Sequence, residues 1–371
     1  MKRKEGKRTW LSRWRQVLAQ VEMRQAQKRE PERASYFILE LTARCNQDCR
    51  YCYNVWKARE GMVQREMTTE EWCTLIGRLQ DEMGCRQVTF SGGEPLLRED
   101  FREILAFCHR RGLESIVISN GRYLDQEMLE FCLAHGVKMF EVTLLGSNAA
   151  THDGLTRVPG SWERALSAMT RLYKAGATWC GVFVATSENI GQVRETVEMM
   201  IALGAKVIMF NRFNPGGEGA RHRDLMPAPD DVQKALRVVD ELAVAYNFPA
   251  TASVPVMPCL VDLHGFQRVQ FGFCAAGRAG SYPTIGPDGR VRPCNHSATI
   301  LGDFHQQSMQ EMLEGPALRA FTAVVPEVCR PCPGLDQCRA GCRAAAEVCF
   351  GSLEEPEPWL KANLERLPPM V

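Results

Sequence analysis

Three thiols fall within eight residues, Cys45-Asn46-Gln47-Asp48-Cys49-Arg50-Tyr51-Cys52, at a CxxxCxxC spacing. Three thiolates on one loop hold three irons of a [4Fe–4S] cube and leave the fourth iron without a protein ligand, open to chemistry. The other readings are a structural zinc, which wants a fourth Cys or His nearby, and a chance cluster of buried thiols. Position favours the cube, because the loop follows the strand-like run Tyr36–Leu41 and a barrel places its chemistry at the C-terminal ends of its strands. A second candidate, Ser91-Gly92-Gly93-Glu94-Pro95, also ends a strand-like run. Alone it reads as a tight turn; beside the cysteine loop, two glycines let a backbone approach a ligand and Glu94 offers a carboxylate to an ammonium group.

Eight of the sixteen cysteines lie in 259–349, while Cys73, Cys85, Cys108, Cys132 and Cys180 are scattered singly through apolar sequence. A disulfide scaffold is expected to be short and secreted, and this chain is neither. The clustered eleven therefore read as metal ligands and the five as core. The formal charge is +1, which gives no global field for nucleic acid or an anionic membrane. Residues 1–34 nevertheless hold 11 Lys/Arg against 4 Asp/Glu. No apolar run reaches signal-peptide or membrane-spanning length, so a cytoplasmic location is expected.

The elements that must position these residues alternate. Strand-like runs at Tyr36–Leu41, Gln87–Phe90, Ser115–Ile118, Lys138–Leu145, Trp179–Thr186 and Lys206–Phe210 are separated by helical patterns, as where Thr69-Glu70-Glu71 opens one helix and Gly112 closes another. Six strand–helix repeats predict parallel strands with right-handed crossovers, in an α/β partial (β/α)6 TIM-like barrel. Residues 228–247 read as one more helix, and Phe248–Pro258 is broken by prolines. From 259 to 350 the chain is rich in Cys, Gly and Pro with little periodicity, which predicts a small Cys-rich α+β domain held together by metal.

The CxxxCxxC loop, with Tyr51 before its last cysteine, and the Gly92-Gly93-Glu94 segment resemble the radical S-adenosylmethionine (SAM) superfamily. The resemblance implies that the open iron takes the amino and carboxylate groups of SAM and that Gly92, Gly93 and Glu94 secure the amino group. Thr143-Leu144-Leu145-Gly146-Ser147, His152-Asp153 and Val158-Pro159-Gly160-Ser161-Trp162-Glu163 look like the family's fourth-strand stretch, in which a hydroxyl and an arginine meet the SAM carboxylate. Thr143 and Arg157 take those roles here, although Leu145 stands where Asp is common and Arg157 falls one residue late. His152 and Asp153 read as a hydrogen-bonded loop pair bracing the turn, with acid–base work as the alternative. The loop 211–219, Asn-Arg-Phe-Asn-Pro-Gly-Gly-Glu-Gly, resembles the Pro/Gly-rich loop of many such enzymes.

Cys274, then Gly289 with four residues before Cys294, then Cys329-x2-Cys332-x5-Cys338-x3-Cys342 and Cys349 resemble the seven-cysteine signature of the SPASM domain. That resemblance implies two further [4Fe–4S] clusters, one on Cys329, Cys332, Cys338 and Cys349 and the other on Cys274, Cys294 and Cys342. Cys259 is the candidate for the missing ligand of the second; the alternative is an open iron.

The expected organisation is a basic amphipathic helix in 1–34, built on Trp10, Leu11, Trp14, Leu18 and Val21; a radical SAM partial barrel over 35–225; a bridging helix and linker over 226–258; a SPASM domain over 259–352; and a tail over 353–371, read as a capping helix or a loose end. By resemblance the chain is an enzyme with three [4Fe–4S] clusters that cleaves SAM reductively to a 5′-deoxyadenosyl radical and takes a hydrogen atom from a ribosomally made peptide. The modification installed is of the crosslink, thioether, epimerisation or excision type. An electron donor such as flavodoxin or ferredoxin is implied, and no nucleic-acid or membrane partner. Residues 1–34 are too few for a separate leader-binding domain, so leader recognition is expected from the basic helix, from 248–273 or from an accessory protein. The alternatives are maturation of a sulfatase, which Asn295 in place of a usual Asp disfavours, or of a small quinone- or haem-type cofactor, and a non-catalytic Fe–S carrier or sensor.

Overall fold

The computed structural model describes residues 34–57, 63, 65–278 and 280–367. The basic helix expected around Trp10–Arg24 lies outside them. Six strands fall within two residues of the expected runs: β1 (Tyr36–Thr42), β2 (Gln87–Gly92), β3 (Glu114–Ser119), β4 (Val137–Thr143), β5 (Trp179–Ala185) and β6 (Val207–Arg212). They pair in chain order, all parallel. Parallel neighbours in sequence need a crossover each time, and the helices between them supply it.

The first of these, α1 (Thr69–Met83), shows how the sequence sets its own ends. Thr68 accepts from the Glu71 amide while the Glu71 carboxylate accepts from the Thr68 amide, a reciprocal cap, and Gly84 closes the helix in the left-handed conformation. Trp72, Leu75, Ile76, Leu79 and Met83 recur at helical spacing and are buried. They join Phe37, Leu39, Val88, Phe90 and Phe101 in one apolar core between the sheet and its helices.

The sheet is longer than six strands. The helix Pro229–Ala245 crosses back to β7 (Ala250–Ala252), parallel to β6, and β8 (Val269–Phe271) adds beyond it. The stretch expected as a bridging helix and linker thus extends the barrel wall. At the opposite edge β9 (Thr284–Ile285) pairs in parallel with β1, and β10 (Arg290–Arg292) and β11 (Gly302–Asp303) follow antiparallel, giving eleven strands in one sheet among the described residues.

The rest of the cysteine-rich half consists of short helices: Met309–Leu313, Pro316–Ala323, Leu335–Cys338 and Arg343–Phe350. A small second core of Ala276, Phe321, Cys342, Ala344 and Ala345 forms there, with Cys274 and Cys294 packed on it. Two buried ion pairs fasten this half to the barrel. Glu40 on β1 takes the Trp56 indole N–H at 2.9 Å and pairs with Arg292 on β10. Arg212, at the end of β6, pairs with Glu357 at 2.6 Å, both fully buried, and its guanidinium lies 4.5 Å from the Trp359 ring. Of the two readings of the tail, the loose end is excluded for this part: Glu357, Trp359 and Leu360 are buried and lock onto the barrel. No helix among the described residues is long and apolar enough to cross a membrane.

Candidate functional site

The cysteine loop leaves β1 at its C-terminal end and is tied down on three sides. Glu66 accepts from the Thr42 hydroxyl at 2.7 Å and from the Ala43 amide at 2.8 Å. The amides of Asp48 and Arg50 donate to the carbonyls of Thr156 and Leu155, at the end of the helix Ala149–Thr156. The Arg50 guanidinium meets both oxygens of Glu188 at 2.8 and 2.9 Å. A loop fixed in this way presents its thiols without paying ordering entropy when a ligand arrives.

Cys49 is buried and Cys45 and Cys52 are partly so. Burial pushes all three thiols up, Cys52 to about 11, while Lys57 pulls each back. The neighbouring Cys45 and Cys52 add to the rise of Cys49. Three crowded, largely buried thiols become thiolates when cationic iron offsets their charge, so the donor set fits a cluster. Among the described residues no three His, Cys, Asp or Glu side chains converge on a single ion.

Gly92 and Gly93 abut this loop. A Cβ at Gly92 would stand 2.5 Å from the Thr42 carbonyl oxygen, and one at Gly93 only 2.0 Å from that of Arg44. Gly92 also has φ +119, in the region that favours glycine. The Gly93 amide donates to Thr42 and the Glu94 amide to Arg44. The glycines therefore fit the end of β2 against the stem of the cysteine loop. The Glu94 carboxylate is buried and accepts from Leu96 N, Ser119 Oγ and Asn120 N, and burial pushes its pKa to about 7. Around it, Asn54 donates to the Gly92 carbonyl at 2.6 Å and Asn120 to the Asn46 side chain at 2.8 Å. Asn46 Nδ2 and Asn54 Oδ1 are buried without a partner. Unspent polar atoms beside the thiols and the glycine turn fit a polar ligand such as SAM. These asparagines escaped the sequence reading because nothing in their type or spacing set them apart.

Thr143 ends β4, opposite Val182 of β5. Arg157 has φ +58 and caps the helix Ala149–Thr156. Its guanidinium reaches Asp48 in the cysteine loop at 3.2 Å and His222 at 3.1 Å, so it spans from that loop to the segment after β6. His152 and Asp153 brace the turn, as expected. The ring Nδ1 of His152 accepts from Leu145 N, and burial lowers its pKa to about 4. Asp153 accepts from Gly160 N, Ser161 Oγ and Trp162 N.

The segment 214–219 connects the two cysteine regions. A Cβ on Gly217 would lie 2.3 Å from the Asn54 carbonyl oxygen, and Gly219 N donates to the Cys52 carbonyl. On its other side Asn214 Nδ2 lies 3.3 Å from the Cys342 sulfur and 3.3 Å from His296 Nδ1. The His296 ring stacks on Tyr53 with centroids 4.5 Å apart, and burial lowers its pKa to about 4. Cys274, Cys294 and Cys342 surround the second core. Cys329 and Cys338 are buried in the main core, with Cys259 packed against it. Cys349 lies apart, its sulfur 3.9 Å from the Pro215 carbonyl oxygen.

Residues 39–200 match the radical SAM superfamily, and residues 274–333 match SPASM, an iron–sulfur cluster-binding domain. The chain belongs to the radical SAM superfamily and carries a SPASM domain. Iron–sulfur clusters and SAM are the cofactors those domains imply. This radical SAM enzyme is 28% identical over 335 residues to the AdoMet-dependent heme synthase of Methanosarcina barkeri, covering 86% of this chain and 94% of that one. It is 26% identical over 329 residues to the PqqA peptide cyclase of Granulibacter bethesdensis, covering 86% and 85%. In fold it resembles Streptococcus suis SuiB bound to its precursor peptide SuiA, with TM-score 0.68 at 14% identity over 92% of this chain and 78% of SuiB. It also resembles anSMEcpe bound to AdoMet and a Cp18Cys peptide, with TM-score 0.68 at 19% identity over 90% and 95%.

Proposed function

We propose that this radical SAM/SPASM enzyme modifies a ribosomally made peptide. The observation that carries the reading is the convergence of the cysteine loop, the 214–219 segment and the SPASM cysteines Cys342 and Cys349. A flexible substrate needs its reacting C–H bond held still, and such a walled site supplies restraint from groups remote from the chemistry. The relatives named for acting on or binding a peptide support this reading.

When bound, a [4Fe–4S] cluster with an open iron supplies reductive cleavage of SAM to a 5′-deoxyadenosyl radical, the hydrogen-abstracting species. Cys45, Cys49 and Cys52 would hold that cluster. Gly92, Gly93 and Glu94 would shape the SAM amino end and Thr143 and Arg157 its carboxylate end, with Asn46 and Asn54 as further donors and acceptors. Cys274, Cys294 and Cys342 would hold one auxiliary cluster and Cys329, Cys332 and Cys338 another, for three clusters in all. The Tyr53–His296 stack and Asn214 would stand between the cysteine loop and the SPASM cysteines. Flavodoxin or ferredoxin would deliver the electron, and recognition of a leader peptide would fall to residues 1–34, to 248–273 or to an accessory protein. A cytoplasmic site of action suits labile clusters and many free thiols.

The likeness to a heme synthase supports a second reading, a small tetrapyrrole substrate. The anaerobically reconstituted enzyme, given SAM and dithionite, should form 5′-deoxyadenosine, and its formation should rise with a synthetic peptide translated from any short reading frame found adjacent to its gene, whose mass should change. A mass change in a porphyrin instead, with the peptide untouched, favours the second reading. No 5′-deoxyadenosine under any condition points to a non-catalytic Fe–S carrier.

A further inference from the structure

The chain just after β6 buries an amide side chain against a thiol of the other half. Asn214 is 5% exposed, and its Nδ2 lies 3.3 Å from the Cys342 sulfur and 3.3 Å from His296 Nδ1. Its Oδ1 is buried without a partner. A buried carbonyl left unpaired costs about 1–3 kcal/mol, whereas a leucine of similar size would fill the same space without that cost. Packing alone therefore does not account for an asparagine at this position.

The amide and the sulfur are held in one frame. Phe213 N donates to the Ala185 carbonyl at 2.7 Å and the Phe213 ring is wholly buried, which fixes the chain immediately before Asn214. Arg212 pairs with one oxygen of Glu357, and the other oxygen accepts from the Cys342 amide at 2.5 Å. The donor thus belongs to the barrel and the sulfur to the SPASM half, with a buried ion pair joining them. Cys274, Cys294 and Cys342 are free thiols around one small core, a donor set that fits a cluster. With Cys342 as a thiolate, the reverse orientation of the amide would turn Oδ1 toward the sulfur lone pairs, so the N–H is the group that faces sulfur.

We infer that Asn214 is a positioning residue that raises the reduction potential of the cluster at Cys342 by donating a hydrogen bond to its sulfur. This rests on the reading that Cys274, Cys294 and Cys342 hold a cluster. Reduction adds one negative charge that the ligating sulfurs share, and an N–H donor stabilises that charge more than it stabilises the oxidised state. The barrel thereby sets how readily the auxiliary cluster takes up an electron.

The test uses the full chain with Cys45, Cys49 and Cys52 changed to Ala, reconstituted anaerobically and titrated at controlled potential with EPR detection. About eight iron and two one-electron couples are expected. Adding Cys274→Ala and Cys294→Ala should remove one couple, which marks it as that of the Cys342 cluster; if neither couple is lost, the cluster reading fails and this inference with it. Adding Asn214→Leu instead should keep the iron count and shift the marked couple alone, by about tenfold in its reduced-to-oxidised ratio at fixed potential, which is about 59 mV lower for one electron. An unmoved couple with iron retained, a rise, or an equal shift of both couples overturns the inference while leaving the cluster reading intact. Should Asn214→Leu lose iron, the background protein labelled with nitrogen-15 in its asparagine side chains should show a nitrogen coupling to the marked cluster in pulsed EPR, and the absence of that coupling overturns the inference.

Discussion

The barrel and the cysteine-rich half are held together by different means. Phe90, Trp72 and Phe101 are wholly buried in a core of aliphatic and aromatic side chains, and each barrel strand from β1 to β6 has six or seven residues. After residue 274 the strands have two or three residues and the second core is small, with thiols at its margin. An apolar core stabilises a fold by itself; a core partly made of thiols needs the metal they would hold. The contrast teaches that stability and cofactor loading separate in the barrel and coincide in the SPASM half.

The largest effect expected from this contrast comes from stripping iron with an oxidant and chelator. Limited proteolysis of the stripped protein should cut rapidly within 274–350 and leave a fragment containing 36–252; equal digestion of both halves would remove the distinction. Next are the buried joints. Arg292→Met leaves Glu40 charged and buried, and Arg212→Met does the same to Glu357, each at a cost of about 3–5 kcal/mol in denaturant unfolding. Phe90→Ala should cost a similar 3–5 kcal/mol through the cavity it leaves, yet its cluster content per folded chain should match wild type.

Acid gives a smaller effect, whose barrel part falls on His152 as its counterpart in the SPASM half falls on His296. The folded His152 has a pKa of about 4, below its ordinary value near 6.5, so the unfolded chain binds the extra proton between those limits. Stability should fall by roughly 3 kcal/mol as pH drops from about 6.5 to about 4, and His152→Asn should flatten that limb of the profile. The smallest effect compares one device in both halves. Thr68→Ala and Ser308→Ala each remove a reciprocal helix cap and should cost about 1 kcal/mol. Unfolding of the iron-loaded protein monitored in each half should register Thr68→Ala in the barrel and Ser308→Ala in the SPASM half.

The six barrel strands were legible because each is an apolar run bounded by helix caps and glycines. β7 and β8 were not: three residues each carry too little periodicity, and their place comes from the edge that β6 offers to β7 and β7 to β8. The cysteine loop and the Gly92-Gly93-Glu94 turn could be found from residue type and spacing. The reason for the glycines could not, since it is the Arg44 and Thr42 carbonyls, distant in sequence, that exclude a Cβ. Between a capping helix and a loose end the tail's sequence could not decide, because Pro-rich, acidic sequence gives no sign that Glu357 faces a buried arginine.

The pairing of β9 with β1 has a consequence for synthesis on the ribosome. Ile38 meets Thr284 across that edge, so the first strand translated waits for almost 250 further residues before its outer side is covered. During that interval the nascent sheet exposes an unpaired parallel edge next to three reactive thiols, a state prone to aggregation and oxidation. Chaperone holding and the timing of iron delivery would therefore govern the yield of active protein in a heterologous host more than the stability of the finished fold.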